Sequence, residues 1–198
     1  MKILIIYAHP SKGSFTYEVL QQFSKGLEET GHQIELSDLY QIDFQTDMTE
    51  AEYFREGFSN TNLPIPQDVQ IEHGKLRRAD AVCFLYPVWW SDCPAKLKGW
   101  FDRVYTVGYA YSKTEEPRAM KTIHKALVIC TDGHPNELLE KNGIAESMRK
   151  IMLNDRLGNR FSKKKMIILG GTLDGDIFKD AHLQKAFNLG KNFENNFI

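Results

Sequence analysis

The amino-acid sequence predicts an α/β protein with a doubly wound, five-stranded parallel sheet and helices on both faces. Short apolar runs recur along the chain, and residues 3–8 and 81–86 are apolar throughout. Such runs are typical of strands buried on both faces of a parallel sheet. Segments with the apolar spacing of amphipathic helices separate the runs. Strands that alternate with helices in this way form a parallel sheet wrapped on both faces.

The first half of the chain supplies three of the predicted strands. The first strand is followed by a helix that presents Phe15, Val19 and Phe23 on one face and stops at Gly31. An irregular stretch around Pro64 separates the second strand from the next helix. The predicted order is strand, helix, strand, helix and strand, at residues 3–8, 15–27, 33–37, 68–78 and 81–86.

The second half of the chain begins with Pro94, which is expected as the first residue of a helix that runs through Val104. The elements that follow are a strand, a helix, a strand and a helix, at residues 125–130, 136–153, 166–169 and 179–195. The only basic run lies just before the last strand. It is expected to form a solvated turn rather than a recognition patch, and consists of Lys163, Lys164 and Lys165.

The length of 198 residues lies within the range of one domain, and we expect residues 1–198 to form a single domain. Lys and Arg number 25 and Asp and Glu number 26, so the formal net charge is −1. This balance argues against a nucleic-acid-binding protein, a polybasic membrane-binding protein and a strongly acidic electron carrier. Hydrophobic residues make up 42% of the chain, which is enough for a packed core and too many for a disordered protein.

The cysteines and the N-terminus indicate the compartment. The three cysteines form no C-x-x-C pair, which fits a reducing cytosol and excludes a disulfide framework. The apolar run after Lys2 is too short for a signal peptide, and no later window approaches the ~18 apolar residues of a membrane span. We therefore expect a soluble, cytoplasmic protein.

The loop after the first strand is a candidate phosphate site. In a doubly wound sheet, ligands bind beyond the carboxyl ends of the strands, where the winding direction reverses. The loop has neither the G-x-x-x-x-G-K-[ST] nor the G-x-G-x-x-G pattern, so both nucleotide fingerprints are missing. Instead, Ser14 and Thr16 carry hydroxyls at a helix N-terminus, where free N–H groups and the helix dipole suit a phosphate. An ordinary capped helix start is the alternative.

The loop after the third strand contains two adjacent tryptophans, Trp89 and Trp90. Both cannot point into one core, so at least one is expected to face the ligand crevice, where its ring suits another planar ring. Packing between helices or across a subunit interface is the alternative. The loop after the fourth strand, residues 131–136, brings backbone N–H groups beside the same crevice. Three further tyrosines either form a lid over a planar ligand or pack internally: Tyr105, Tyr109 and Tyr111.

Other chemistries of this architecture lack their residues. A cysteine phosphatase needs an arginine six residues after its cysteine, and none of the three cysteines has one. A phosphoryl-receiving domain needs acidic residues after the first strand and an Asp at the end of the third, where this chain has His9 and Tyr86. The six histidines show no paired ligand spacing, so no metal site is predicted.

Several motifs of the chain resemble the flavin-dependent NAD(P)H:quinone oxidoreductase family, the DT-diaphorase type and its shorter bacterial relatives. The resemblance covers most of the chain and implies a flavodoxin-like fold. It rests on the blocks AH, SF, SDLY, PVWW, PAKLKGWFDRV and GYAY, at residues 8–9, 14–15, 37–40, 87–90, 94–104 and 108–111.

The resemblance implies a role for each residue at a matching position. The phosphate side of the flavin is matched by His9, Ser14, Phe15 and Thr16. The flavin ring is matched, largely through backbone groups, by Pro87, Val88, Trp89 and Trp90, and its pyrimidine end by Thr131, Asp132 and Gly133. The family places a tyrosine over the substrate cavity, often from the partner subunit, and here that tyrosine is Tyr111. The family is typically a homodimer that shares its two active sites across the interface.

The implied function is that of an enzyme that takes hydride from NADH or NADPH onto flavin N5 and passes electrons to a quinone-like acceptor. The flavin, FAD or FMN, performs the redox chemistry and the protein orients it. Reduction of azo or nitro compounds at the same site is one alternative. A regulatory flavoprotein docked on a membrane transporter is another. The net charge and the tyrosine-rich loop argue against a simple electron-shuttling flavodoxin.

The chain lacks a functional pair of residues that larger members of the family carry. Larger members carry a tyrosine and a histidine that assist hydride transfer, but here Leu138 and residues 143–145 lie near those places. Reduced flavin carries negative charge near N1 and O2, which a cation can stabilise. We expect His134 to supply that charge or to offset Asp132. The alternative is that His134 is an exposed turn residue before a proline.

Overall fold

The computed structural model describes residues 1–173 and 175–197, and their strands form one five-stranded sheet. All strand pairs are parallel, and the spatial order is β2-β1-β3-β4-β5. The strands are β1 (Lys2–Tyr7), β2 (Gln33–Asp38), β3 (Ala81–Pro87), β4 (Ile123–Thr131) and β5 (Phe161–Leu169). This order confirms the predicted doubly wound, flavodoxin-like sheet, in which the winding direction reverses between β1 and β3.

Helices cover both faces of the sheet. They are α1 (Phe15–Glu29), α2 (Glu50–Gly57), α3 (Gln67–Arg78), α4 (Ala95–Val104), α5 (Asn136–Lys141), α6 (Ile144–Arg149) and α7 (Lys179–Lys191). Alternate residues of β1 face two apolar cores, because successive side chains of a strand point to opposite faces. Ile3 and Ile5 pack under α1 and α7, whereas Leu4 and Ile6 pack under α3 and α4. No helix in the described part of the chain is long and apolar enough to cross a membrane.

Helix α2 lies in the stretch that was predicted to be irregular. Its start is fixed by a capping box: Thr49 Oγ1 accepts from Glu52 N, and the Glu52 carboxylate accepts from Thr49 N. The T-x-x-E pattern is a known helix start. The apolar spacing did not indicate a helix there, because the large apolar side chains of α2, Tyr53 and Phe54, are exposed.

The helix predicted over residues 136–153 is wrong as a single element. Gly143, with φ of 73°, separates α5 from α6, and a π-helix, Lys150–Leu157, continues α6. A positive φ cannot belong to a right-handed helix, so the chain must restart at this glycine. The closing helix also ends earlier than predicted, at Lys191, and a short 3₁₀ segment, Phe193–Phe197, follows it.

Strand β5 begins at Phe161, so the prediction that Lys163, Lys164 and Lys165 form a turn is wrong. The three lysines lie within an edge strand, with Lys163 and Lys165 exposed. Lysines on an edge strand oppose pairing with another sheet, which accounts for a basic run inside a strand. At the next boundary, Pro94 is the N-cap of α4 rather than its first residue, and the helix begins at Ala95.

Candidate functional site

A cavity of about 670 Å³ lies beyond the carboxyl ends of β1, β3 and β4. This is the side of a doubly wound sheet where ligands bind, and the volume is within the range of small-molecule sites. Twelve residues singled out from the sequence line it: His9, Ser14, Phe15, Thr16, Pro87, Val88, Trp89, Trp90, Thr131, Asp132, Gly133 and His134. The structure therefore brings together the three loops that the sequence indicated.

The loop after β1 delivers the N-terminus of α1 to one end of the cavity. Ser14 is the N-cap, and its Oγ accepts from Tyr17 N at 3.2 Å and donates to Ser11 O at 2.8 Å. The N–H groups of Phe15 and Thr16 have no backbone acceptor among the described residues, as expected for the first turn of a helix. Free N–H groups at a helix N-terminus attract an anion.

His9 closes the same end of the cavity without adding charge. Burial lowers the pKa of His9, against a hydrogen bond with the Ser11 backbone that raises it. The imidazole is therefore neutral at neutral pH, and Ser11 N donates to its Nδ1 at 2.9 Å. Its ring meets Trp89 edge-on, with 6.2 Å between the ring centroids. The attraction for an anion at this end comes from the helix and its hydroxyls.

The two tryptophans lie on a tight turn after β3. Trp89 N donates to Asp92 O at 2.9 Å, and Asp92 N donates to Trp89 O at 3.1 Å. The two residues between them, Trp90 and Ser91, have φ of 52° and 62°, in the left-handed region that costs ~1–3 kcal/mol for residues other than glycine. Trp90 is fully exposed and Trp89 is 43% exposed, so neither belongs to the core. Both rings remain available to a planar ligand.

Two threonines tie the first loop to the fourth strand at the floor of the cavity. The hydroxyls of Thr16 and Thr131 are 2.8 Å apart and buried. Val88 N donates to Thr131 O at 2.8 Å, so the end of β3 is joined to the same point. The three loops therefore have fixed relative positions at their bases, while their outer residues face the cavity.

The loop after β4 is stabilised by a buried carboxylate. Asp132 Oδ1 accepts from His134 N at 2.8 Å, and the His134 ring is exposed with its Nδ1 3.5 Å from the same oxygen. Gly133 cannot be replaced by a larger residue without movement, because a Cβ there would lie 2.6 Å from Leu173 Cδ1. Gly133 and Leu173 both line the cavity, so a side chain at position 133 would move a part of its wall.

A fourth loop, after β5, also lines the cavity and was not predicted. Thr172 N and Oγ1 donate to Asp132 O at 3.0 and 2.9 Å, and Gly171 N donates to His134 O at 2.8 Å. Thr172 and Leu173 line the cavity as a result. The glycine pair at the carboxyl end of β5, Gly170 and Gly171, was the sequence feature that could have indicated this loop. Three more lining residues were not among the predicted site residues: Ser91, Leu139 and Ile144.

The tyrosine-rich loop does not form a lid over this cavity. Tyr105 is half-buried and packs on Phe101, and Tyr109 is buried and stacked on His73, with 3.6 Å between the ring centroids. For these two, internal packing is the correct alternative. Tyr111 is half-buried, donates to Glu56 Oε2 at 3.3 Å and does not line the cavity of its own chain. Burial, together with Glu56, raises the pKa of Tyr111.

The lining of the cavity combines two kinds of chemistry. The start of α1 offers the N–H groups of Phe15 and Thr16, which suit a phosphate. The β3 and β4 loops offer indole rings and loop backbone, which suit a planar ring system. The donor set and aromatic walls therefore fit a flavin phosphate. Within the described residues there is no cluster of His, Cys, Asp and Glu that could hold a metal ion.

Comparisons with known proteins agree with this architecture. A family model described as flavodoxin-like fold matches residues 1–187. The NAD(P)H:quinone oxidoreductase from Methanothermobacter marburgensis is 48% identical to the chain, with a TM-score of 0.91, over 98% of this chain and 97% of that chain. An uncharacterized NAD(P)H oxidoreductase of Haemophilus influenzae is 32% identical over 158 residues, which cover 78% of this chain and 75% of that protein.

A third relative is longer than the chain. The ribosyldihydronicotinamide dehydrogenase-like protein traD of Penicillium crustosum is 31% identical over 175 residues, which cover 77% of this chain. The chain spans only 65% of the length of that protein. Because the family model matches almost all of the sequence, and the Haemophilus relative exceeds 30% identity over three quarters of its length, the chain belongs to the flavodoxin-like fold family.

Proposed function

We propose that this chain is a flavin-dependent NAD(P)H oxidoreductase that reduces a quinone-like acceptor. The observation that carries the proposal is the cavity itself, whose lining combines a helix N-terminus with a double-tryptophan turn. The relatives from Methanothermobacter and Haemophilus, an NAD(P)H:quinone oxidoreductase and an NAD(P)H oxidoreductase, support the same reaction. When bound, the flavin supplies the chemistry, by accepting hydride from NAD(P)H and passing electrons to the acceptor.

The α1 end holds the flavin phosphate in this proposal. The N–H groups of Phe15 and Thr16 donate to phosphate oxygens, and the neutral His9 packs beside them. The Ser14 hydroxyl joins them when its proton turns from Ser11 O to the phosphate. These donors are the same for the terminal phosphate of FMN and for the first phosphate of FAD. Titration with FMN and FAD separately therefore distinguishes the two cofactors.

The β3 and β4 loops hold the ring system. Trp89 and Trp90 provide the aromatic wall, and Pro87 and Val88 supply backbone beside it. Thr131, Asp132 and Gly133, which line the cavity, would contact the pyrimidine end of the ring. Bound in this way, the ring is held by backbone groups that need no reorganisation when its charge changes.

His134 is the proposed source of positive charge beside the reduced ring. It lines the cavity with its ring exposed, and the other histidine of the lining, His9, is neutral. Asp132, buried beside it, keeps the loop in place through the His134 N–H. A protonated His134 also offsets the negative charge of Asp132.

We also propose a homodimer in which Tyr111 acts at the partner's cavity. Tyr111 binds Glu56 of α2, and the same helix and its C-cap expose three clustered aromatic rings, those of Tyr53, Phe54 and Phe58. An exposed aromatic cluster of this kind marks an interaction surface.

A single domain over residues 1–198 and a cytoplasmic location complete the proposal. Three buried free thiols support the location.

The experiment that tests the function begins with flavin titration of the purified protein, using FMN and FAD separately. The flavin-loaded protein is then supplied with NADH or NADPH, with and without a soluble quinone. We expect oxidation of the nucleotide to be slow alone and to accelerate when quinone is added. Protein that binds neither flavin, or binds flavin without quinone-dependent oxidation, would contradict the proposal. Azo and nitro acceptors tested in parallel define the substrate class, and co-purification with a transporter would favour the regulatory alternative.

A further inference from the structure

The Trp89–Asp92 turn is held to the body of the protein by an ion pair that does not touch the cavity. Its own backbone hydrogen bonds close the turn but attach it to nothing else. Within the part of the chain that the structure describes, the side chains of Trp90 and Ser91 make no hydrogen bond, and their φ values lie in the left-handed region. A turn with this backbone persists only where its surroundings hold it.

Arg156 provides that attachment. Its Nη1 donates to Asp92 Oδ1 at 2.6 Å and its Nη2 donates to Asp92 Oδ2 at 2.8 Å, which is a two-pronged arginine–carboxylate pair. The same Nη1 lies 3.3 Å from Cys93 Sγ, and the guanidinium carbon lies 5.6 Å from the centre of the Phe101 ring. Paired bonds of this kind fix orientation as well as distance.

Both members of the pair are themselves held in place. Arg156 is buried, and its carbonyl oxygen accepts from Arg160 Nε and Nη2 at 3.2 and 2.9 Å. Asp92 Oδ1 also accepts from Cys93 N at 2.6 Å, which ties the carboxylate to the chain just after the turn. Burial alone would raise the pKa of Asp92, but Arg156 and the Cys93 N–H outweigh this effect. The pKa of Asp92 is therefore lowered, and the carboxylate stays ionised.

The π-helix places Arg156 where it can reach the turn. Residues Lys150–Leu157 have the wider π geometry and end at Gly158, whose φ is 49°. Such segments are rare, and they occur frequently at functional sites. The arginine at the end of this segment is thus directed at the turn from behind the cavity wall, beside Met148 and Met152.

We propose that Arg156 is a positioning residue for the flavin site, and that its pair with Asp92 holds the Trp89–Asp92 turn so that Trp90 forms a wall of the cavity. This inference rests on the proposed function. Arg156 does not line the cavity and acts through Asp92. The pair therefore affects how firmly the flavin is held, without contacting it.

Two single variants and their combination test the proposal. Arg156→Met keeps an apolar stem over Phe101 and removes the charge, and Asp92→Asn keeps the shape of a half-exposed side chain. We expect each variant to raise the Kd for flavin about tenfold, which is ~1.4 kcal/mol. The double variant should bind no more weakly than either single one, since both remove the same pair. Arg156→Lys keeps the charge but loses the second hydrogen bond to Asp92. Its Kd for flavin should lie between those of the wild type and Arg156→Met.

The matched control is Arg149→Met. Arg149 makes a similar two-pronged pair with Glu140 near the start of the π-helix, and it does not touch the turn. We expect this variant to bind flavin as the wild type does. Hydrogen exchange provides a second readout. The N–H groups of Trp89 and Asp92 should exchange faster in Arg156→Met than in the wild type, and at the wild-type rate in Arg149→Met.

The proposal is overturned if the Asp92 and Arg156 variants bind flavin normally, if their effects add in the double variant, or if Arg149→Met weakens binding equally. Hydrogen exchange distinguishes failure of the Arg156 proposal from failure of the proposed flavin function, because it needs no bound flavin. A wild-type protein that takes up neither FMN nor FAD would end the proposed function. Faster exchange at the turn in Arg156→Met would even then show that the pair holds it.

Discussion

At the scale of single residues, Ser14 serves both the helix and the proposed ligand. Its Oγ caps α1 through Tyr17 N and also faces the cavity. Ser14→Ala is expected to weaken flavin binding about tenfold or more, because a hydrogen bond to a charged group contributes ~1.5–3 kcal/mol. Flavin titration of the variant and the wild type measures the change.

The control for Ser14→Ala is a second helix cap that lies outside the cavity. Thr49 caps α2 in the same way, through Glu52 N at 3.2 Å. Thr49→Ala should lower the free energy of unfolding by about 1 kcal/mol and leave flavin affinity unchanged. If Ser14→Ala lowers stability alone, and flavin binds as before, Ser14 is only a cap and its assignment to the phosphate is wrong.

His134 gives a prediction about rate. Its ring lines the cavity, so a positive charge there should favour the negative charge of the reduced ring. We expect His134→Ala to slow flavin reduction by NAD(P)H several-fold. Stopped-flow reduction of the variant and the wild type measures the change. His124→Ala, at an exposed histidine on β4, is the control, and equal rates for His134→Ala and wild type would leave the charge to backbone N–H groups.

The sequence could predict most polar residues of the site because they follow strands directly. His9 and Thr131 lie at the carboxyl ends of β1 and β4, whose apolar runs mark them clearly. Thr172 also follows a strand, β5, behind Gly170 and Gly171, but its bond to Asp132 O joins loops 40 residues apart and could not be read from the sequence. The role of Arg156 could not be read either, since its partner Asp92 is 64 residues away.

At the scale of elements, α1 and α7 approach each other closely enough for their backbones to touch. A Cβ on Gly26 would lie 2.1 Å from Phe187 O, and a Cβ on Gly190 would lie 2.2 Å from Phe23 O. Gly26→Ala therefore has to separate the two helices. We expect it to lower the free energy of unfolding by ~1–3 kcal/mol, as overpacking does. Urea unfolding measures the difference.

A glycine with open space around it provides the comparison. Gly74 lies inside α3, and a Cβ there would meet only the flexible end of Arg78 at 3.3 Å. Gly74→Ala should leave stability unchanged or raise it by up to about 1 kcal/mol, because alanine favours the helix. Equal stability losses in the two variants would show that the contact between α1 and α7 is not what constrains Gly26.

Elements with a buried apolar face were predictable, and elements without one were not. Helices α1 and α4 show the apolar spacing of amphipathic helices because each packs one face on the sheet. Helix α2 buries the charged residues Glu52 and Arg55 instead, so its pattern does not resemble an amphipathic helix. The break between α5 and α6 depends on Gly143 adopting a positive φ, which apolar spacing does not reveal.

At the scale of the whole molecule, a buried histidine makes the fold sensitive to acid. His73 is buried, its Nε2 donates to Val104 O at 2.8 Å, and burial lowers its pKa to about 4. The unfolded chain takes up a proton near pH 6.5, whereas the folded chain does so only near pH 4, so stability falls as pH decreases through this window. The loss amounts to about 3 kcal/mol at its full extent.

The variant His73→Gln isolates this effect because an amide can keep the donor to Val104 O and does not titrate. Its free energy of unfolding should fall less steeply between pH 6.5 and 4 than that of the wild type. Chemical denaturation at several pH values gives both slopes. Parallel curves would mean that His73 is protonated in the folded protein and that its burial is not the source of acid sensitivity.

The measurement that tests the central claim most directly is anaerobic mixing of the flavin-loaded protein with NAD(P)H, followed by a quinone. We predict that the visible absorbance of the flavin disappears on addition of one equivalent of NAD(P)H and returns when one equivalent of quinone is added. Protein that holds its flavin but keeps its colour in the presence of both NADH and NADPH would contradict the claim that this cavity is an oxidoreductase site.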